Sequence, residues 1–472
     1  MKPLSIYLHI PFCRSKCAYC DFLSFVAADY AQIKEYVRVL TNEIAVKAPS
    51  FHEYTVTTVF IGGGTPSLLM AREIKAIIAS LREHFNFADE TITPAPEMTI
   101  EVNPDSVTPD ILRCYRAIGI NRLSIGLQST TARELQLLGR THSYDDFLLT
   151  YENARQAGFD NINIDLIAGL PQRQLSSEKK SISLNDTLPY QDDTLPYQDD
   201  TLPYHLESSL LQSWRQTLDE VAALKPEHIS IYGLQIEAGT PFFARYGEGG
   251  TNAGELLTEE MDRRIYHFST AHLSAYNYIR YEISNYARRG YECRHNLNYW
   301  RRGDYLGLGL GAASMIANVR WCNTRFQESY IMTYSKNDKK TRDLWNNECY
   351  VKVSSDAIRN GSGNGKTYLE VDRSIASEND KSIDKSKGRG KEELQVLSKA
   401  EQMEEFMFLG LRLTEGVNEA VFEDNFGIKI DDAYPGVLGK LSDEGLIVVA
   451  ENISLTEKGI DVSNYVLAKF IF

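Results

Sequence analysis

Short apolar runs alternate with amphipathic stretches through the first half of the chain. The runs are Ser5–Ile10, Thr55–Ile61, Glu97–Val102, Arg122–Gly126, Asn161–Ile167 and Glu227–Gly233. Between them, Tyr30–Val46, Arg72–Phe85, Pro109–Ala117, Tyr144–Ala157 and Leu210–Leu224 carry apolar residues at helical spacing. Strand-then-helix units imply parallel strands, because a parallel pair needs a crossover connection. The pattern predicts an α/β fold, a partial or complete TIM-like (β/α) barrel. In such barrels the loops after the strand C-termini carry the chemistry.

Two segments break the alternation. LPYQDDT occurs twice in tandem at 188–201, followed by a third LPY. Its period is too short for a solenoid unit, and the acidic, turn-rich surroundings predict a flexible insertion at about 173–207. Residues 354–393 are rich in Ser, Gly, Asn, Lys and Asp and lack apolar periodicity, which predicts a linker within 336–400. Beyond it, Glu401–Leu413, Ala420–Phe426 and Tyr434–Glu444 read as helices, and Leu446–Val449 with Ser454–Leu455 as a hairpin. The expected domains are a barrel over 1–335, with an extension at about 280–335, and a small winged-helix-like domain over 401–472.

Charge narrows the function. The chain has 472 residues, 43% of them hydrophobic, and a net charge of −14. A winged helix usually suggests DNA, but residues 401–472 carry 14 acidic and 5 basic side chains, a net of −9. Phosphate binding needs the opposite sign, so no nucleic-acid partner is expected. No stretch approaches the roughly 20 apolar residues of a membrane helix, and the expected location is the cytoplasm. In that reducing setting the seven cysteines are not expected to form disulfides.

Three of them stand in the run His9-Ile-Pro-Phe-Cys13-Arg-Ser-Lys-Cys17-Ala-Tyr-Cys20-Asp-Phe22. Thiolates at these spacings can converge on one face of a metal centre from a loop after a strand. Iron–sulfur clusters usually take four thiolates; three leave one iron open, as a catalytic metal requires. A structural zinc site completed by His9, or buried free thiols, is the plainer alternative.

CxxxCxxC after a first strand, with Tyr19 inside it, resembles the radical S-adenosylmethionine (SAM) superfamily. The wider frame, YLHIPFC…CAYCDF, is similar to the branch that contains oxygen-independent coproporphyrinogen III oxidases and haem chaperones. The resemblance spans about 1–335 and, more loosely, the C-terminal domain. It implies a [4Fe-4S] cluster on Cys13, Cys17 and Cys20, with SAM chelated at the open iron. Phe60-Ile-Gly62-Gly63-Gly64-Thr65-Pro66 matches the family's GGGTP turn. Consecutive glycines let backbone N–H groups approach a ligand, and such a nest suits one end of SAM; a bare tight turn looks the same. Glu101, at a strand end, can accept bonds from ribose hydroxyls, or be a solvated terminus. Tyr7, Tyr19, Gln128, Arg140 and Asp165, with Gly63–Thr65, match positions that line the SAM site. After LIAGLP the family continues QT, whereas this chain reads QRQL.

Two features bear on the branch. The oxidases carry a fourth cysteine two residues after the third; Phe22 stands there. Cys293-Arg-His295-Asn296-Leu-Asn-Tyr299-Trp300 resembles the HNxxYW haem motif of the chaperones. Imidazole is a common axial haem ligand. Tyr299 and Trp300 are expected to cover the porphyrin, and Arg294, Arg301 and Arg302 to pair with propionates. A histidine capping a loop beside an aromatic anchor is the bland alternative. Ala313 stands where the family usually has histidine, and Cys293 and Cys322 are candidate soft ligands or buried thiols. The resemblance implies a chaperone that binds haem at His295 and passes it to a client haem protein, a respiratory one, with transient contact to a membrane protein. No catalytic residue is assigned. The rival is radical decarboxylation of coproporphyrinogen III.

Overall fold

The computed structural model describes residues 1–89, 95–171, 204–335 and 394–472. The LPYQDDT repeat and the 354–393 segment lie outside the described residues. The chain begins with β1 (Lys2–Ile10) and a short parallel pair, β2 (Phe12–Cys13) and β3 (Phe25–Val26). There follow α1 (Tyr30–Lys47), β4 (Tyr54–Gly63), α2 (Ala71–His84), β5 (Glu97–Val102), α3 (Pro109–Ala117) and β6 (Arg122–Gln128). Next come α4 (Ala132–Leu138), α5 (Tyr144–Gln156), β7 (Ile162–Ala168), α6 (Tyr204–Ala223), β8 (His228–Gly233), α7 (Pro241–Tyr246) and α8 (Glu259–Ser274). The extension adds β9 (Ile279–Arg280), β10 (Asn285–Ala287), α9 (Arg294–Trp300), β11 (Tyr305–Leu308), β12 (Ala313–Ile316), β13 (Val319–Cys322) and α10 (Gln327–Tyr334), and β14 (Gln395–Val396) follows.

One sheet joins twelve strands in the order β14-β13-β12-β11-β1-β4-β5-β6-β7-β8-β10-β9. Strands β11, β1 and β4 to β8 are parallel, and the outer strands are antiparallel. Among the described residues its two edge strands do not pair with each other, so the barrel is partial. Alternation sorts the two faces. In β1, Leu4, Ile6, Leu8 and Ile10 are buried in the main core, while Ser5, Tyr7 and His9 take the other face. The inner face is polar: Glu97 and Thr99, Arg122 and Ser124, Asn163, and His228 and Ser230 are all buried.

Helix starts follow local chemistry. Thr108 caps α3 ahead of Pro109, and Ser143 with Asp146 closes a capping box on α5. Two expected boundaries move. Helix α6 begins at Tyr204, so residues 204–207 belong to it rather than to the insertion. The expected linker ends before residue 400, because β14 pairs with β13 and Ser398 caps a helix over Lys399–Gly410. A buried ion pair braces the barrel: Lys47 Nζ lies 2.7 Å from Glu43 Oε1, both side chains fully enclosed. No described helix is long and apolar enough to cross a membrane.

The C-terminal domain packs helices Lys399–Gly410, Glu419–Phe426 and Val437–Asp443 on a three-stranded sheet of Val417–Asn418, Asn452–Leu455 and Ile447–Val449. Met407, Phe422, Ile430, Leu441 and Phe470 centre its core. The expected hairpin thus gains a third strand, and helices Glu457–Asp461 and Ser463–Leu467 follow it. Polar contacts dock the domain on the barrel. Glu405 pairs with Arg302 and Arg320, Glu457 with Arg280, and Thr414 N–H donates to Tyr281 O.

Candidate functional site

The three cysteines lie on the loop that leaves the C-terminal end of β1. Backbone bonds set its course: Ala18 N–H to Leu138 O at 3.1 Å, Phe242 N–H to Ala18 O at 2.9 Å and Phe25 N–H to Pro11 O at 2.8 Å. Lys16 Nζ donates to Phe22 O and Ser24 O. Thr65 Oγ1 donates to Cys13 Sγ at 3.7 Å and Arg140 Nη1 to Cys17 Sγ at 3.6 Å. Burial pushes the Cys20 thiol up. All six described cysteines are free.

This donor set fits an iron–sulfur cluster. Three partly exposed thiols share one loop, and a cluster binds each thiolate on its own iron. Among the described residues no group of three His, Cys, Asp or Glu side chains is positioned to hold a single metal ion. His9 is committed elsewhere: Nδ1 meets Tyr7 Oη at 3.0 Å and Nε2 meets Leu23 O at 2.8 Å. The zinc alternative loses its closing ligand.

The glycine turn differs from expectation. Gly63 N–H donates to Glu101 Oε2 at 3.0 Å, Gly64 N–H to Ile10 O at 2.8 Å and Thr65 N–H to Phe12 O at 2.7 Å. These donors are spent inside the protein, so the turn is not an N–H nest. Its glycines serve close packing. A Cβ on Gly63, whose φ is +114°, would lie 2.5 Å from the His9 ring, and one on Gly64 2.6 Å from Phe12 O.

Around the turn the inner wall collects the remaining expected residues. Gln128 ends β6 at φ 74°, past a register shift against β7. Arg140 Nη2 donates to Gly126 O at 2.8 Å and to Asn103 Oδ1. Tyr19 packs edge-on against Phe242. Asp165 accepts from Ser124 Oγ at 3.0 Å and Asn163 Nδ2 at 2.8 Å, and burial raises its carboxyl despite them. Glu101 is pushed up to about 8 by desolvation and by Asp165, against the pull of the Gly63 N–H. A carboxyl raised in the fold keeps a proton that the unfolded chain has lost. Between the ordinary value of 4.5 and about 8, folding therefore weakens as pH rises. Glu101→Gln is expected to flatten that slope in cofactor-free protein, read as melting temperature against pH. An unchanged slope would remove Glu101 as its source.

Deeper along the same wall, a cavity of about 330 Å³ is lined by Tyr7, Phe60, His295, Asn296, Tyr299, Tyr305 and Ala313. Tyr7 therefore belongs to this cavity as well as neighbouring Glu101. His295 is 1% exposed. Glu97 sets its helix in place, accepting from Cys293 Sγ, Arg294 N–H and His295 N–H. His295 Nδ1 lies 2.8 Å from Thr58 Oγ1, which donates to Ser5 Oγ. With the Thr58 proton spent, Nδ1 is the donor and Nε2 accepts from Tyr299 Oη at 3.0 Å. Burial, with Arg122, pulls the imidazole down to about 3, so it is neutral at any physiological pH.

The expected propionate partners are engaged elsewhere. Arg294 donates to Ala95 O, Arg301 pairs with Glu415 at 2.8 Å and Arg302 with Glu405 at 3.0 Å. Trp300 carries the Arg412 guanidinium 4.5 Å above its ring rather than a porphyrin. Tyr299 does line the cavity. Cys293 is buried, bonded to Glu97 and pushed up to about 12, and Cys322 is exposed with its Sγ toward Gly311 O. Neither lines the cavity. Sequence reading missed Asn103, Thr58 and Glu97; only Asn103, in IEVNPD beside Glu101, carried a local signal.

Comparison with known proteins places these features. Residues 7–179 match the model of the radical SAM superfamily and residues 397–462 that of the HemN C-terminal domain. Heme chaperone HemW of Bacillus subtilis is 29% identical over 468 residues, 99% of each chain. Heme chaperone HemW of Escherichia coli K12 is 34% identical over 312 residues, 66% of this chain and 70% of the relative. That of Mycobacterium tuberculosis is 32% identical over 333 residues, 70% and 74%. The solved structure of coproporphyrinogen III oxidase (HemN) from Escherichia coli superposes with a TM-score of 0.69 at 22% identity. The match covers 99% of this chain and 90% of that one, and it carries the fold alone.

Proposed function

The chain belongs to the HemW family within the radical SAM superfamily, and from that premise we propose that it is a haem chaperone that binds haem at the His295 cavity and passes it to a client haem protein. The observation that carries this reading is a neutral imidazole set in an aromatic-walled cavity. Neutral imidazole is the form that ligates iron. Tyr7, Phe60, Tyr299 and Tyr305 offer ring surface to a flat apolar macrocycle.

Cys13, Cys17 and Cys20 would hold a [4Fe-4S] cluster. When bound, the cluster supplies one iron with an open position for the amino and carboxylate groups of SAM. Arg140, beside Cys17, offsets thiolate charge. Glu101 and Asp165 would receive the ribose hydroxyls, with Gln128, Tyr19 and the Gly63–Thr65 turn completing the site. Because the turn's N–H groups are occupied, its contribution to an ammonium group falls to carbonyl oxygens. The client, a respiratory haem protein reached through a transient membrane-protein contact, rests on the family alone. Phe22, where the oxidases carry a further cysteine, leaves that chemistry without its thiol.

Iron ligation must displace the Tyr299 hydroxyl from Nε2. Two variants test this. His295→Ala is expected to abolish the ligated Soret band and haem transfer to an apo-protein. Tyr299→Phe frees Nε2 and is expected to tighten haem binding by about fivefold, the value of one hydrogen bond of about 1 kcal/mol. Unaltered titrations in both variants would exclude His295 as the ligand.

A further inference from the structure

Asp105 follows β5 in the short turn Pro104–Ser106 and ties three loops together. Its Oδ2 accepts from Thr141 Oγ1 at 2.6 Å and from Arg14 Nη1 at 3.1 Å, and its Oδ1 accepts from Asn103 Nδ2 at 2.6 Å. Thr141 is the chain neighbour of Arg140, and Arg14 stands between Cys13 and Cys17. The two outer arms differ in weight. The Arg14 side chain is 57% exposed, and an ion pair so open to water contributes little. The Asn103 arm leads inward, because Asn103 Oδ1 accepts from Arg140 Nη2.

A guanidinium has donors only, so Arg140 requires the oxygen end of the Asn103 amide. A carboxylate has acceptors only, so Asp105 requires the nitrogen end. The two demands agree, and Asp105 thereby fixes which end of the amide faces Arg140. Without that carboxylate the amide can turn its NH2 toward the guanidinium, donor against donor. Arg140 is held otherwise by Gly126 O at 2.8 Å and Cys17 Sγ at 3.6 Å, and its Nε has no hydrogen-bond partner. Asn103 therefore sets the tilt of a guanidinium that lies against the cysteine loop. A guanidinium in that place suits the carboxylate that SAM brings to the open iron.

We infer that Asp105 is a positioning residue for SAM: through the Asn103 amide and the Thr141 hydroxyl it aims Arg140 at the cofactor's carboxylate. This deepens the SAM reading of the cysteine-loop site and rests on it.

The test titrates the full chain, reconstituted anaerobically with its cluster, with SAM, following the electron paramagnetic resonance signal of the reduced cluster. Asp105→Ala is expected to bind SAM about tenfold more weakly, the scale of one hydrogen bond to a charged group, with bound iron and sulfide unchanged. Asp105→Asn should restore affinity to near wild type: its oxygen can face Asn103 and its NH2 can face the Thr141 hydroxyl, so that only the exposed Arg14 arm is lost. In an Arg140→Gln background, Asp105→Ala should weaken SAM binding no further, because the residue through which it acts is already gone. A purely structural role would weaken binding in both backgrounds. Undiminished affinity in Asp105→Ala overturns the inference, as does a further tenfold loss in the Arg140→Gln background or an Asp105→Asn variant as weak as Asp105→Ala. Loss of iron from Asp105→Ala would show that the turn builds the cysteine loop itself and would overturn the positioning role. If the wild-type signal does not respond to SAM, the SAM reading fails and this inference with it; if wild type and Asp105→Ala respond alike, only the inference fails.

Discussion

Cys17→Ala is expected to leave anaerobically reconstituted protein without iron–sulfur absorbance, with bound iron and sulfide near zero. Three thiolates are the minimum this loop offers, and the alternative fourth group, His9, is bonded through both ring nitrogens. The variant spares the fold. Cys17 contributes its carbonyl to the loop, accepting Cys20 N–H at 3.3 Å, and alanine keeps that bond. Arg140 loses its contact with Cys17 Sγ but retains Gly126 O and Asn103. The cofactor-free variant should therefore melt within about 0.5 kcal/mol of wild type. Iron and sulfide at the wild-type level would refute the ligand assignment; loss of both with a collapsed fold would show instead that the loop needs the thiol for packing.

Glu43→Leu is expected to cost about 3–5 kcal/mol, because it removes the counter-charge of Lys47 in a fully enclosed site. The carboxylate serves four groups: Lys47, Asn323 Nδ2 at 2.6 Å, Tyr330 Oη at 2.6 Å and Gly309 N–H at 2.8 Å. The double variant Glu43→Leu with Lys47→Met removes the buried charge altogether and should recover part of the loss. Recovery stays incomplete, because Tyr330 Oη and Gly309 N–H lose their acceptor and Asn323 Oδ1 loses the Lys47 donor, at about 1–3 kcal/mol each. Urea midpoints measure both steps. A double variant as unstable as the single one would show that the hydrogen bonds, not the lost counter-charge, dominate. Gly309 also packs at the His9 carbonyl and the Tyr36 hydroxyl, so the same site joins α1 to the end of β1.

Much of the candidate site was legible because it is built from strand ends. Alternation located β5 and β6, and a residue at the C-terminal end of a parallel strand points to one rim whatever the rest of the chain does. Glu101 and Gln128 meet the Gly63 turn and Arg140 for that reason. The three cysteines needed only eight consecutive positions to be recognised. The HNxxYW run was less legible. HNxxYW announced a histidine, two aromatics and flanking arginines, and a helix spreads these over several faces. His295 and Tyr299 face the cavity, while Trp300, Arg301 and Arg302 face the C-terminal domain. No local pattern reveals that Glu415 and Glu405, more than a hundred residues on, claim those arginines. The N–H nest was misread for the same reason: Ile10 and Phe12 accept from Gly64 and Thr65 because β1 runs on beside β4.

By itself the sequence determined the parallel α/β core, the cysteine loop and the acidic C-terminal unit, since periodicity, spacing and charge are properties of neighbouring residues. Tertiary structure alone decided which polar groups were left over. It tied up the glycine N–H groups and the motif's arginines, covered Nε2 of His295 with a tyrosine hydroxyl, and left Arg122 Nε and Thr99 Oγ1 without a hydrogen-bond partner among the described residues. A buried donor or cation is satisfied by whatever the fold brings within hydrogen-bond reach, and that reach is set by strand register and domain docking across hundreds of residues.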